Sequence, residues 1–206
     1  MKFLICGSGH SIRQVDAWDT STHQVVAVNN AWKVVDWDHF ACTKDYERDY
    51  NRAVGFPQVS QKDVQTNRWW DQRAIVDSAK MFGGQWQVGQ SVTLTAAYTV
   101  IRLFGNDCEQ IGFIGCDMVY PAGKTAYYGT GIDFEKRKMS DPDHMGEYAQ
   151  KNNVSLDGKP SGDMTPGEIL THYYKRFERI ANEHNIRVVN YSTEETRLPY
   201  ERETYV

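Results

Sequence analysis

The chain has 206 residues, 40% of them hydrophobic and 24% charged, with 27 acidic against 23 basic side chains and a net charge of -4. That length holds one ordinary domain, or one domain with a lid, and buries a sizeable core unaided. The mildly acidic balance and the lack of any Lys/Arg run disfavour a broad nucleic-acid or membrane-surface footprint, and no stretch has the length of a signal h-region or a spanning helix.

In chain order, Lys2 to Cys6 is a short apolar run stopped by Gly7-Ser8-Gly9-His10, which predicts a buried strand and a tight turn. Residues 23–28 (HQVVAV) are β-branched and predict a second strand ending at Asn29-Asn30. Residues 38–42 (DHFAC) predict a third, ending at Thr43, and the polar, aromatic stretch 44–70 has no assignable element. Between Gly89 and Gly105 the pattern changes, and Ser91 is a good N-cap. Val92, Ala96, Val100 and Leu103 recur at helical spacing, and Leu94, Ala97, Ile101 and Phe104 widen the stripe into a mostly buried helix. Residues 110–117 (QIGFIGCD) predict another buried strand. Residues 135–164 are polar with Gly and Pro, the composition of a lid or a disordered insertion. Thr165-Pro166-Gly167-Glu168 is a capping box with proline at the first helical position. Ile169, Tyr173, Phe177 and Ile180 form the apolar stripe of the helix it opens; 186–192 then predicts a last strand, and the tail from Thr193 reads as polar surface chain. This alternation predicts an α/β fold with a mostly parallel sheet, helices on both faces and a polar lid loop.

Ligands of open α/β sheets bind outside the carboxyl ends of the strands. Those ends carry Gly7, Ser8, Gly9, Asn30, Thr43 and Asp117, small or hydrogen-bonding groups suited to a polar ligand. The dinucleotide fingerprint is half present: Ile12 replaces its third glycine and Asn29-Asn30 its ribose-binding acid, so NAD is disfavoured, and no Walker lysine follows the turn. Each of these residues also has a plain structural reading as a turn, a cap or packing. Tyr120, Tyr127 and Tyr128 lie in a Gly-rich loop after a strand, where phenol hydroxyls donate to a phosphate without a metal. The six histidines show no metal-ligand spacing. His23 and His39 begin strands, His172 and His184 belong to the last helix, and His10 sits in the first turn. His144 is the histidine of the lid and the candidate general base. The four cysteines lie far apart without a C-x-x-C pair, as buried thiols of a reducing cytoplasm do.

The order GSGHSI, VNNAW, a strand ending at Thr43, VGQSVTLTAAYTVIRLFG and IGFIGCDMVY resembles the small bacterial sialyltransferases of glycosyltransferase family 42. It also resembles the wider group around them, which includes proteins like the archaeal 6-hydroxymethylpterin pyrophosphokinase. The block from Gly89 to Tyr120 carries most of the likeness. The resemblance implies a single Rossmann-like domain over 1–206, with 135–164 as its lid, that transfers a sialic acid-like sugar from a cytidine nucleotide donor to a small-molecule or glycan acceptor hydroxyl. It implies neither metal nor further cofactor. By position, Gly7, Ser8 and Gly9 would approach the nucleotide phosphate, Ser8 standing where the family has asparagine; Asn30 and Thr43 would bond the donor. Gln90 and Ser91 would face its sugar or phosphate, Tyr120 and Tyr127 would stabilise the departing phosphate, and His144 would take the base's part. The family's basic, membrane-associating extension has no counterpart. Two alternatives stand beside this reading: a magnesium-dependent diphosphotransferase, for which Asp117 and Asp133 are available carboxylates, and a non-catalytic nucleotide-binding protein. The six tryptophans, with Trp69 and Trp70 adjacent, leave an acceptor platform or a homo-oligomer interface open beside ordinary packing.

Overall fold

In the computed structural model the described residues are 1–42, 62, 66, 68–83, 91–117, 155–156, 159–160 and 166–205. The apolar runs form a sheet of strands β1 (Lys2–Cys6), β2 (Gln24–Val28), β3 (His39–Ala41), β4 (Trp69–Trp70), β5 (Gln110–Ile114), β8 (Arg187–Asn190) and β9 (Glu201–Arg202). Its order is β4-β3-β2-β1-β5-β8-β9, with every neighbouring pair parallel. The central strands are buried on both faces, which is why they read as unbroken apolar runs and not as alternating ones. The fold is α/β and Rossmann-like.

The two faces are covered differently. Phe3, Ile5, Val26, Ile111, Phe113 and Val188 point to one side and pack against three α-helices: α1 (Gln72–Met81), α2 (Val92–Phe104) and α3 (Pro166–Glu183). Leu4, Cys6, Val25, Ala27 and Val189 point to the other, where 3-10 helices His10–Ala17 and Asn29–Lys33 supply Ile12, Val15 and Ala31. Ile12 and Val15 are three residues apart, the spacing that stacks side chains on a three-residue turn. Helix α2 is buried all round from Leu94 to Ile101, with Val92, Leu103 and Phe104 half-buried at its ends. Along α3, Tyr173, Phe177 and Ile180 are buried, and Tyr174 and Ala181 join them.

Three features differ from the sequence expectations. Strand β4 and helix α1 arise in and just after the polar stretch left unassigned. Asp71 caps α1 by accepting from the Ala74 amide at 2.8 Å, and Ile75, Ser78 and Ala79 are its buried side. The C-terminal tail is no mere surface chain. Leu198 and Tyr200 are buried, β9 extends the sheet, and Tyr205 stacks on Trp18 with ring centroids 4.3 Å apart. Its apolar residues are few but spaced to reach the core, so they override the polar composition. Finally, the 135–164 segment contains an antiparallel pair, β6 (Ser155–Leu156) with β7 (Lys159–Pro160); its other residues lie outside those described. Among the described residues no helix is long and apolar enough to cross a membrane.

Just after β8, Tyr191 lays its ring over Gly112 of β5, on the face away from the three α-helices. A Cβ at Gly112 would stand 2.1 Å from its ring, so only glycine leaves room. The Tyr191 hydroxyl accepts from Gln110 Nε2 and lies 3.2 Å from His23 Nε2, while His23 Nδ1 is 3.0 Å from the Tyr205 hydroxyl. His23 therefore belongs to the end of the sheet opposite the expected site, as its place at a strand beginning predicts, whereas His39, the first residue of the short β3, is level with Val26 and Ile5 and buried in the sheet.

Candidate functional site

The chain runs outward from β1 through β2 and β3 to β4, then returns to place β5 on β1's other side. The strand order thus reverses between β1 and β5, and the carboxyl ends at such a reversal are the place where ligands of such sheets bind. The site is built from Gly7-Ser8-Gly9-His10 after β1, Asn29-Asn30 after β2 and Gly115-Cys116-Asp117 after β5.

The two glycines of the first loop serve the approach of protein to protein. Gly7 N–H donates to Ile114 O at 2.9 Å and Gly9 N–H to Gly115 O at 2.7 Å. A Cβ on Gly7 would stand 2.3 Å from Gly115 O, and one on Gly9 2.7 Å from Asp117 Oδ2. Gly115 itself has φ of +66, a left-handed conformation that favours glycine. Asp117, 3% exposed, locks the loops: its Oδ2 accepts from the Ser11 amide at 2.9 Å and its Oδ1 from the Ser11 hydroxyl at 2.5 Å. Ser11 Oγ in turn accepts from Gly115 N–H at 2.8 Å, and the Asp117 carbonyl accepts from Arg197 N–H at 2.9 Å. Asp117 is thus a cross-loop brace with both carboxylate oxygens engaged.

This bonding leaves few donors in the glycine loop. The amides of Gly7, Gly9, Ser11 and Ile12 are spent on protein acceptors. Ser8 makes no hydrogen bond among the described residues, and His10 Nε2 is buried without a partner. At the end of the neighbouring β2, Asn29 adopts φ of 50 and its Oδ1 is buried without a partner, while Asn30 is 4% exposed. Asparagine tolerates the left-handed region better than most residues do, which accounts for Asn29 at the end of β2.

Ser91 caps α2 by accepting from Leu94 N–H at 3.2 Å. Its hydroxyl also lies 2.6 Å from Thr93 Oγ1 and 2.7 Å from the buried Tyr174 hydroxyl. Cys116 ties this cluster to the glycine loop. Burial and then the Asp117 carboxylate push its thiol up to about 12, against the pull of hydrogen bonds from the Gly7 backbone and the Thr93 side chain. The start of α2 is therefore beside the β1–β5 switch point, with Ser91 turned into its own capping network.

Of the residues expected at the site, the structure brings Gly7, Ser8, Gly9 and Asp117 together, sets Asn30 at the neighbouring strand end and Ser91 on the adjoining helix. Thr43, Gln90, Tyr120, Tyr127 and His144 lie outside the described residues. Sequence reasoning passed over two residues here, while Asn29, expected with Asn30 at the end of β2, carries the unpartnered oxygen. Ser11 is the brace partner, and fully buried Asn190, ending β8, has an unpartnered Nδ2 while its Oδ1 accepts from Ser192 N–H at 3.0 Å. Each is a small polar residue just after an apolar run, a signal present in the sequence but shared with ordinary turns. Among the described residues no group of three or more His, Cys, Asp or Glu is gathered in a way that could hold a metal ion.

No protein-family model matches the sequence, and neither curated proteins nor solved structures give a match.

Proposed function

We propose that this chain is a cytoplasmic glycosyltransferase-like enzyme that takes a sugar, sialic acid-like, from a cytidine nucleotide donor to the hydroxyl of a small-molecule or glycan acceptor. The observation that carries a nucleotide ligand is the β1–β5 switch point, with an unengaged Ser8 on one strand end and an unpartnered Asn29 Oδ1 on the next. The choice of cytidine and of sugar transfer comes from the resemblance of GSGHSI, VNNAW and the Gly89-to-Tyr120 block to glycosyltransferase family 42. In this reading the nucleotide lies across the carboxyl ends of β1 and β5. His144 removes the acceptor proton, and Tyr120 and Tyr127 donate to the phosphate as the glycosidic bond breaks. The four cysteines, all buried, suit a reducing compartment.

The test is a thermal-shift panel of CMP, CDP, CTP, UDP, GDP, ATP and NAD, each with and without magnesium. A ligand at a hundred times its dissociation constant adds about 2.7 kcal/mol, an upward shift of roughly 5–11 °C for a chain of this size. A magnesium-independent shift with CMP is the expected result, and turnover of a CMP-sugar donor then separates an enzyme from a binding protein. A shift confined to a triphosphate with magnesium would move the assignment to the diphosphotransferase. For that chemistry Asp117 is poorly placed, because Ser11 already occupies both of its oxygens.

A further inference from the structure

We propose that His10 is the phosphate-binding residue of the switch-point site, its Nε2–H donating to a phosphate oxygen of the bound nucleotide; this rests on the nucleotide reading above. In nucleotide-binding α/β folds the loop after the first strand offers backbone amides to the phosphate. Here much of that supply is consumed, since the N–H groups of Gly7, Gly9, Ser11 and Ile12 donate to Ile114 O, Gly115 O, Asp117 Oδ2 and Gly9 O, which leaves the amides of Ser8 and His10. Side-chain donors stand beside those two amides. The first two in the loop are Ser8 Oγ, which makes no hydrogen bond among the described residues, and His10 Nε2, which is buried and unpartnered. A buried ring nitrogen without a partner has lost its water and gained nothing in return, so native proteins rarely keep one without a use. A phosphate oxygen is an acceptor that would satisfy it.

The facing strand fits the same ligand. β1 pairs with β2 in the register Cys6↔Ala27, so the segments holding Ser8 and Asn29 leave neighbouring strand ends. The unpartnered group there is an acceptor, Asn29 Oδ1, which repels a phosphate and takes a hydroxyl or amine hydrogen instead. Donors on one wall and an acceptor on the other suit a molecule with anionic oxygens at one end and N–H or O–H groups at the other. A nucleotide has this polarity, whereas inorganic phosphate or a simple sugar has half of it.

The experiment compares CMP with cytidine, its phosphate-free counterpart, by isothermal titration of the full chain and of two variants, His10→Ala and His10→Gln. The expected result is a loss of about tenfold in CMP affinity for H10A with cytidine affinity unchanged, and partial recovery in H10Q, whose amide reaches a similar place. Equal loss for both ligands, or loss for neither, overturns the His10 assignment and leaves the nucleotide reading standing. No binding of CMP to the unmodified protein overturns both. Should H10A fail to fold, an NMR titration of the unmodified protein decides the matter. The His10 imidazole signals must then move with CMP and stay in place with cytidine; signals unmoved by bound CMP overturn the proposal.

Discussion

Replacing Asp117 by asparagine preserves shape and removes charge, so it isolates what the carboxylate does between the two loops. Asp117 accepts from Ser11 twice, at its amide and its hydroxyl, and Ser11 Oγ also accepts from Gly115 N–H. All three residues lie where water is excluded or nearly so, with Ser11 fully buried and Asp117 3% exposed. An asparagine oxygen can keep the Ser11 amide, but its NH2 then faces the Ser11 hydroxyl, whose proton loses its acceptor. One charge-assisted bond disappears and the other becomes neutral, a cost of about 2–4 kcal/mol. Urea unfolding followed by tryptophan fluorescence measures it, with melting expected to fall by roughly 2–4 °C per kcal/mol in a chain of this length. A cycle with Ser11→Ala should give a coupling of about 1.5 kcal/mol or more, because both changes strike the same bond. If Asp117→Asn unfolds within about 0.5 kcal/mol of the parent, the brace is not structural and the loop geometry described here is wrong.

Acid should weaken the fold through His23. Burial, and then the charge of Lys2, hold its folded-state pKa below the usual value, so the unfolded chain takes up a proton before the native one does. Its stabilising contribution is complete above the unfolded value of about 6.5 and is lost as pH falls through the folded one. Urea midpoints at pH 7.5 and 5.5 should differ less in His23→Gln than in the parent; an identical difference would refute this assignment. The thiols should be inert in the native state. Cys6, Cys42, Cys108 and Cys116 are buried, and burial raises Cys108 to about 11 and Cys116 to about 12. A disulfide reagent at pH 8 should label them only as the protein unfolds, and rapid labelling of the folded protein at any of them would show a more open core.

Strands β1, β2, β5 and β8 and helix α2 were legible because each is a continuous apolar run bounded by glycine or a polar cap, and a strand or helix buried on both sides needs that local pattern. The carboxyl-end residues Ser8, Asn30 and Asp117 followed from the same runs, since ligand sites lie where such strands stop. Their roles did not follow. Gly7 and Gly9 look alike whether a loop approaches a phosphate or another loop, and only the contact with Gly115 O and Asp117 shows the second use. Trp69 and Trp70 gain strand structure from pairing with Phe40 and Ala41 across a long sequence gap, and Leu198, Tyr200 and Tyr205 draw a polar tail inward through contacts with Phe113, Tyr174 and Trp18. Local composition sets which segments must be buried. Which loops touch, which polar atoms are spent on each other and which remain for a ligand are decided when distant segments meet, because hydrogen-bond partners are assigned in space and not along the chain.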